Sequence, residues 1–180
     1  MTDIRVLGIS GSLRADSANT KLVREAARLF GDCNFEMGDI DLPLYDGDAE
    51  AAKGIPAEVQ MLSDMIGVAD AVIISTPEYN KGPSGALKNA LDWVSRTDGK
   101  PWAGKPVAVM SAAAGRAGGE RAQMVLRGFM VPFRPRILQG PEIHLADCAN
   151  QFDADGRLTG ETYVRELTTL MQALAAEISR

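Results

Sequence analysis

Apolar positions along this chain fall into two alternating rhythms. Short uncharged runs read as strands buried on both faces. Between them, apolar residues return at helical spacing and leave charged residues on the opposite side. Ile4–Ile9 predicts a strand, and Lys21–Phe30 predicts a helix with Leu22, Val23, Ala26, Ala27, Leu29 and Phe30 on one stripe. Asn34–Ile40 predicts a weaker strand. Asp41–Gly54, rich in Pro, Gly and Asp, predicts a loop. Pro56 opens a helix that carries Val59, Leu62, Met65 and Ile66. Ala71–Ser75 is a β-branched strand ending at Thr76-Pro77. Ser84 caps a helix that turns Leu87, Ala90, Leu91 and Val94 one way. Pro106–Met110 predicts a strand, Ser111–Gly119 a small-residue loop, and Glu120–Arg127 a helix. Arg136–Leu145 predicts a fifth strand interrupted at Gly140-Pro141. A polar loop, Gln151–Gly160, precedes a last helix marked by Leu167, Leu170, Met171, Leu174 and Ile178.

Buried strands alternating with amphipathic helices predict an α/β fold with a parallel sheet covered on both faces. Five such units over 180 residues fit a flavodoxin-like three-layer sandwich. The expected sheet is five-stranded and parallel, with order 2-1-3-4-5, in a single domain spanning 1–180. Ligands of such sheets sit outside the carboxyl ends of the strands, at the switch point. The loops Ser10–Thr20, Pro77–Ser84 and Ser111–Gly119 follow strands 1, 3 and 4 and are expected to converge there.

Composition narrows the ligand. The formal net charge is −5, so no general basic surface invites nucleic acid or an anionic membrane. An anionic ligand must be caught by local geometry. Cys33 and Cys148 form no C-x-x-C; one disulfide is conceivable, but two thiols of a reducing cytosol are expected. With His144 as the one histidine, no histidine metal cluster can form, and no metal site is expected. The start Met-Thr-Asp-Ile-Arg has no apolar targeting core, and no run reaches transmembrane length. The expected location is the cytoplasm.

The loop after the first strand carries the most chemistry. Ser10, Ser12, Ser17 and Thr20 offer hydroxyls, Asn19 an amide and Arg14 a fixed positive charge. The following helix adds free N–H groups and the positive end of its dipole. The spacing matches neither a P-loop nor the G-x-G-x-x-G fingerprint. It suits one terminal phosphate, although the same residues also make an ordinary solvated, capped loop. Pro77, Glu78, Tyr79 and Asn80 offer a flat aromatic face and polar edges; a plain turn packing its tyrosine is the other reading. Ala112–Gly115 is small throughout, which lets backbone approach a ring closely. Glu78 has no second carboxylate, and His144 reads as structural rather than as a base. Asp153-x-Asp155-Gly156 reads as a turn, since the calcium loop's final Glu is missing. A phosphate grip and ring clamp without acid–base partners fit a cofactor that carries the chemistry itself.

Three motifs resemble the NAD(P)H-dependent FMN reductases, whose relatives include quinone, chromate, ferric and azo-dye reductases. Gly8-Ile9-Ser10-Gly11-Ser12-Leu13-Arg14, with Ser17 and Asn19, is similar to that family's phosphate loop. Pro77-Glu78-Tyr79-Asn80 followed by Leu87-Lys88-Asn89-Ala90-Leu91-Asp92-Trp93 is similar to its flavin-ring signature. Gly115 through Gly118-Gly119, then Arg121-Ala122, is similar to its third loop. The resemblance implies that Ser10, Ser12, Arg14, Ser17, Asn19 and Thr20 hold the FMN phosphate. Pro77, Glu78, Tyr79 and Asn80 would line the ring, with Ser111 and Gly115 at its other edge. It implies NAD(P)H as cosubstrate and a ping-pong transfer to a quinone or another small acceptor: chromate, a ferric chelate, an azo compound or free flavin. No side chain is assigned a catalytic role. One departure is Ser84-Gly85, which stands where many members carry a Pro-Gly pair. The resemblance also implies a homodimer or homotetramer, with Phe129, Val131 and Phe133 as interface candidates; filling the core is the alternative for these residues. A flavodoxin-type electron carrier without a nicotinamide site is the competing function.

Overall fold

A computed structural model describes residues 4–180. Its sheet runs in the order β2-β1-β3-β4-β5, with a sixth strand also pairing β4. The strands are β1 (Arg5–Ser10), β2 (Asn34–Gly38), β3 (Ala71–Thr76), β4 (Pro106–Ala112), β5 (Arg136–Ile137) and β6 (Ile143–Leu145), and every pairing is parallel. The helices are α1 (Ala18–Phe30), α2 (Gly47–Lys53), α3 (Ala57–Val68), α4 (Gly85–Val94), α5 (Glu120–Met130) and α6 (Glu161–Ile178). The expected α/β order is the observed one.

Two apolar layers flank the sheet, and strand residues alternate between them. Val6, Ala71, Ile73, Ala108 and Met110 join the layer under α1 and α6. Leu7, Ile9, Val72, Ile74, Val107 and Val109 join the layer under α3, α4 and α5. That alternation is the period-two geometry of a strand, with both faces dry. At Gly8 the absence of a side chain is required. A Cβ there would lie 2.4 Å from Val23 Cγ1 and 2.8 Å from Phe35 Cε2. The gap lets α1 lie close against β1 and brings the start of α1 over the strand end.

Five local expectations change. Helix α1 begins at Ala18 rather than Lys21, so the end of the expected first loop is already helical behind the Ser17 cap. Asp41–Gly54 contains α2. Asp46 caps it by accepting the N–H groups of Asp48 and Ala49, at 2.9 and 3.4 Å. No residue of α2 is buried, so it has no apolar stripe for periodicity to reveal. Glu50 holds it to the body through Tyr45 Oη at 3.0 Å and Arg96 Nε at 3.0 Å. The fifth strand is two short ones. β5 pairs Pro106–Val107 and β6 pairs Met110–Ala112, and the chain between them leaves the sheet around Gly140-Pro141. Helix α5 continues past Arg127 to Met130. The polar loop before α6 is pinned by a Phe152–Leu158 bridge and buries Leu158. Its Arg157 reaches Glu25, a carboxylate only 2% exposed that also takes two 2.8 Å bonds from Arg28.

The apolar segment after α5 divides between core and surface. Met130 is fully buried, Phe129 and Phe133 pack against the core, and Val131 is 70% exposed. Cys33 and Cys148 are free and half-buried, and burial raises both thiols above the ordinary range. Among the described residues no helix is long and apolar enough to cross a membrane.

Candidate functional site

The carboxyl ends of β1, β3 and β4 bring the three loops together. After β1, the chain turns back at Gly11, whose N–H donates to Ser75 O of β3 at 2.7 Å. Ser10 Oγ accepts Thr20 Oγ1–H at 2.9 Å and Ser12 N–H at 3.3 Å. Ser17 is the N-cap of α1, with its hydroxyl accepting Thr20 N–H at 3.3 Å. The main-chain N–H groups of Leu13 and of Ala15 through Ala18 make no hydrogen bond among the described residues. The loop therefore presents free amides, the hydroxyl of Ser12 and the exposed Arg14. Asp16 turns to Lys21, an ion pair that lowers its pKa, so its charge is balanced beside this donor set. A pocket of about 280 Å3 opens here, lined by Ser10, Ser12, Thr20, Gly38, Asp39 and Asp41.

Asn19 takes a different place from the other polar residues of this loop. It is 4% exposed. Its Nδ2 donates to Ala112 O at 3.0 Å, and its Oδ1 accepts Ala112 N–H at 3.0 Å and Ser75 Oγ–H at 2.7 Å. It ties α1 to the ends of β3 and β4, and so sets how the first loop stands against the other two.

The second loop is a tight hairpin. Tyr79 and Gly82 exchange backbone bonds of 2.9 and 3.1 Å. Asn80 and Lys81 both have positive φ, 51° and 68°, the conformation of a two-residue turn. The turn leaves Tyr79 53% exposed, with its ring free for stacking. Glu78 points back, and its Oε2 accepts Ala122 N–H in the first turn of α5 at 3.2 Å. Ser84 joins this loop to the first: its hydroxyl donates to Gly11 O and accepts Leu87 N–H at 3.2 Å. Sequence patterning shows Ser84 as a helix cap, but carries no sign of its second bond.

The third loop begins at Ser111, which is fully buried. Its hydroxyl donates to Gly118 O at 2.6 Å and accepts Gln123 Nε2–H at 3.0 Å. Gly118 has φ 59°, and a Cβ there would lie 2.3 Å from His144 O, so this close approach admits only glycine. Ala114, Gly115 and Arg116 are exposed, and a Cβ on Gly115 would meet nothing within 4 Å. That open, small-residue wall leaves room for a flat ring. Cavities of about 310 and 430 Å3 open elsewhere, beside Arg5–Leu7 and beside Trp102 and Phe133. Both lie toward the amino-terminal ends of the strands, away from these donors.

Fold and loops together define a flavodoxin-like protein built to hold a phosphorylated, ring-bearing ligand at its strand ends. Residues 4–149 match the family model described as NADPH-dependent FMN reductase. The chain belongs to the NADPH-dependent FMN reductase family, and membership implies FMN as cofactor and NAD(P)H as cosubstrate. It is 42% identical to an NAD(P)H-dependent FMN reductase of Pseudomonas aeruginosa, over 99% of this chain and 97% of that one. It is 35% identical to a quinone reductase of Escherichia coli, over 98% of this chain and 96% of that one. Among solved structures it is similar to FerB, a flavoenzyme NAD(P)H:(acceptor) oxidoreductase from Paracoccus denitrificans. That likeness has a TM-score of 0.87 and 35% identity, and covers 98% and 97% of the two chains. An archaeal flavodoxin shares the fold alone, at TM-score 0.64 and 9% identity.

Proposed function

We propose that this chain is a single-unit, FMN-dependent NAD(P)H oxidoreductase that works by a ping-pong cycle and passes two electrons to a quinone. The observation that carries this reading is the donor set at the strand ends. Free loop amides, Ser12 and Arg14 suit a phosphate monoester, and they stand across from an exposed tyrosine and a small-residue wall. When bound, FMN supplies the redox chemistry itself, accepting a hydride from NAD(P)H and releasing two electrons to the acceptor. The chain's own residues bind and orient. Ser10 and Thr20 hold each other and shape the phosphate loop from within. Arg14 supplies the fixed charge. Pro77, Tyr79 and Asn80 line one side of the ring site, and Gly115 leaves the other side clear. Ser17, Asn19, Glu78 and Ser111 support the loops from behind through the bonds described. A quinone is favoured as acceptor because relatives similar over nearly their whole length are named quinone reductase and 2-hydroxy-1,4-benzoquinone reductase. Chromate, ferric chelates, azo compounds and free flavin remain further acceptors to be compared with it.

The experiment is anaerobic. Cofactor released from the purified protein should run with FMN, not FAD. NADH or NADPH should bleach the bound flavin, and a quinone should then restore its colour without NAD(P)H present. Failure of both nicotinamides to bleach it would favour the electron-carrier reading.

A further inference from the structure

Gln123 is buried in the first turns of α5 at 1% exposure, and its carboxamide is used on one side only. Nε2 donates to Ile143 O at 2.7 Å and to Ser111 Oγ at 3.0 Å. Oε1 is buried with no hydrogen-bond partner among the described residues. Enclosing an unpartnered amide oxygen costs stability, and a methionine would fill the space without that cost. The polar group therefore earns its place through its two donated bonds.

Those bonds dictate a proton direction. The bond to Ile143 O fixes which end of the amide is nitrogen. Both amide hydrogens are then committed, so Ser111 Oγ is an acceptor towards Gln123. Its own hydrogen must go elsewhere, and it goes to Gly118 O at 2.6 Å. In a trans peptide the C=O and the following N–H point in opposite directions. With Gly118 O drawn toward Ser111, Gly119 N–H points away from β4, and it has no partner among the described residues. His144 lies in register with Ser111 on the neighbouring strand, so both side chains face α5. Its buried Nε2 makes no hydrogen bond among the described residues, so the Ser111 hydroxyl is not drawn to it and donates to Gly118 O.

We infer that Gln123 is a positioning residue for the cofactor. Through Ser111 it fixes the Gly118–Gly119 peptide and presents Gly119 N–H as a donor to the ring-bearing ligand. The inference rests on the FMN reading of the site. Its test compares Gln123→Met, Ser111→Ala and the double variant by the FMN dissociation constant, the absorption spectrum of bound FMN, and the melting temperature of cofactor-free protein. Each single variant should weaken FMN binding about five- to tenfold, the worth of one oriented neutral hydrogen bond. Each should also shift the flavin absorption bands. The double variant should bind no more weakly than the weaker single one, because both act through one carbonyl. FMN affinity and spectrum matching the wild type in both single variants would overturn the inference, whatever the melting temperature does. Additive losses would also overturn it, by separating the two residues. Wild-type protein that binds no FMN would instead overturn the reading of the site beneath it.

Discussion

Arg14 carries the fixed charge of the first loop, and its guanidinium makes no ion pair or hydrogen bond among the described residues. Removing it should leave the fold intact. Arg14→Ala should weaken FMN binding by about one to two decades, the loss of a charge-assisted bond of roughly 1.5–3 kcal/mol. Fluorescence titration of cofactor-free protein measures the loss, and an unchanged denaturation curve confirms that it belongs to binding. Asn19 should behave in the opposite way. Asn19→Ala removes three buried bonds that join α1, β3 and β4. It should lower the unfolding free energy by about 2–4 kcal/mol, read from urea denaturation. The two residues look alike in sequence, as polar positions of one loop. What separates them is a partner 93 residues away, Ala112, which no local pattern records.

At the scale of elements, the site is a set of joints between loops. Ser84 serves α4 as cap and the first loop as anchor, so Ser84→Ala should cost about 1–2 kcal/mol for the cap alone. It should also loosen FMN binding, because Gly11 is released; calorimetry with and without FMN separates the two effects. Gly118→Ala should be harsher, since the new methyl would meet His144 O at 2.3 Å in a left-handed conformation. A loss of more than about 2 kcal/mol is expected, visible as a drop in melting temperature. Elements with apolar rhythm were legible from the chain: β1, β3, β4 and the helices beside them. Helix α2 was not, because it is held by a cap and two polar ties rather than by an apolar face. The motifs Ser10–Arg14 and Pro77–Asn80 were read from the chain as candidate ligand loops, and the structure brings both to the carboxyl ends of the strands. Gln123 was not legible, because one glutamine on a helix reads as a solvated residue until its burial is known.

For the whole molecule, the strand order was expected because five strand–helix units in a chain of this length fit a flavodoxin-like sheet, and the observed sheet has that order with a sixth strand added. Assembly is a separate matter. Met124 and Val131 stand 67% and 70% exposed along and just beyond α5, and Val131 is one of the interface candidates the sequence offered. Light scattering at low micromolar concentration should give at least twice the 19.2 kDa of one chain. Met124→Arg with Val131→Asp should then return a single-chain mass if this face is the contact.

The divided outer strand bears on how such copies can meet. β5 offers a two-residue run and β6 a three-residue run, and the chain between them swings off the sheet. A neighbouring polypeptide would find no continuous ladder of open amides and carbonyls to extend. That margin is closed to strand addition, and with it to the stacking that seeds fibrils. At that margin association is left to side-chain surfaces, where it can saturate and stop; the opposite margin is β2, a five-residue strand paired on one side only.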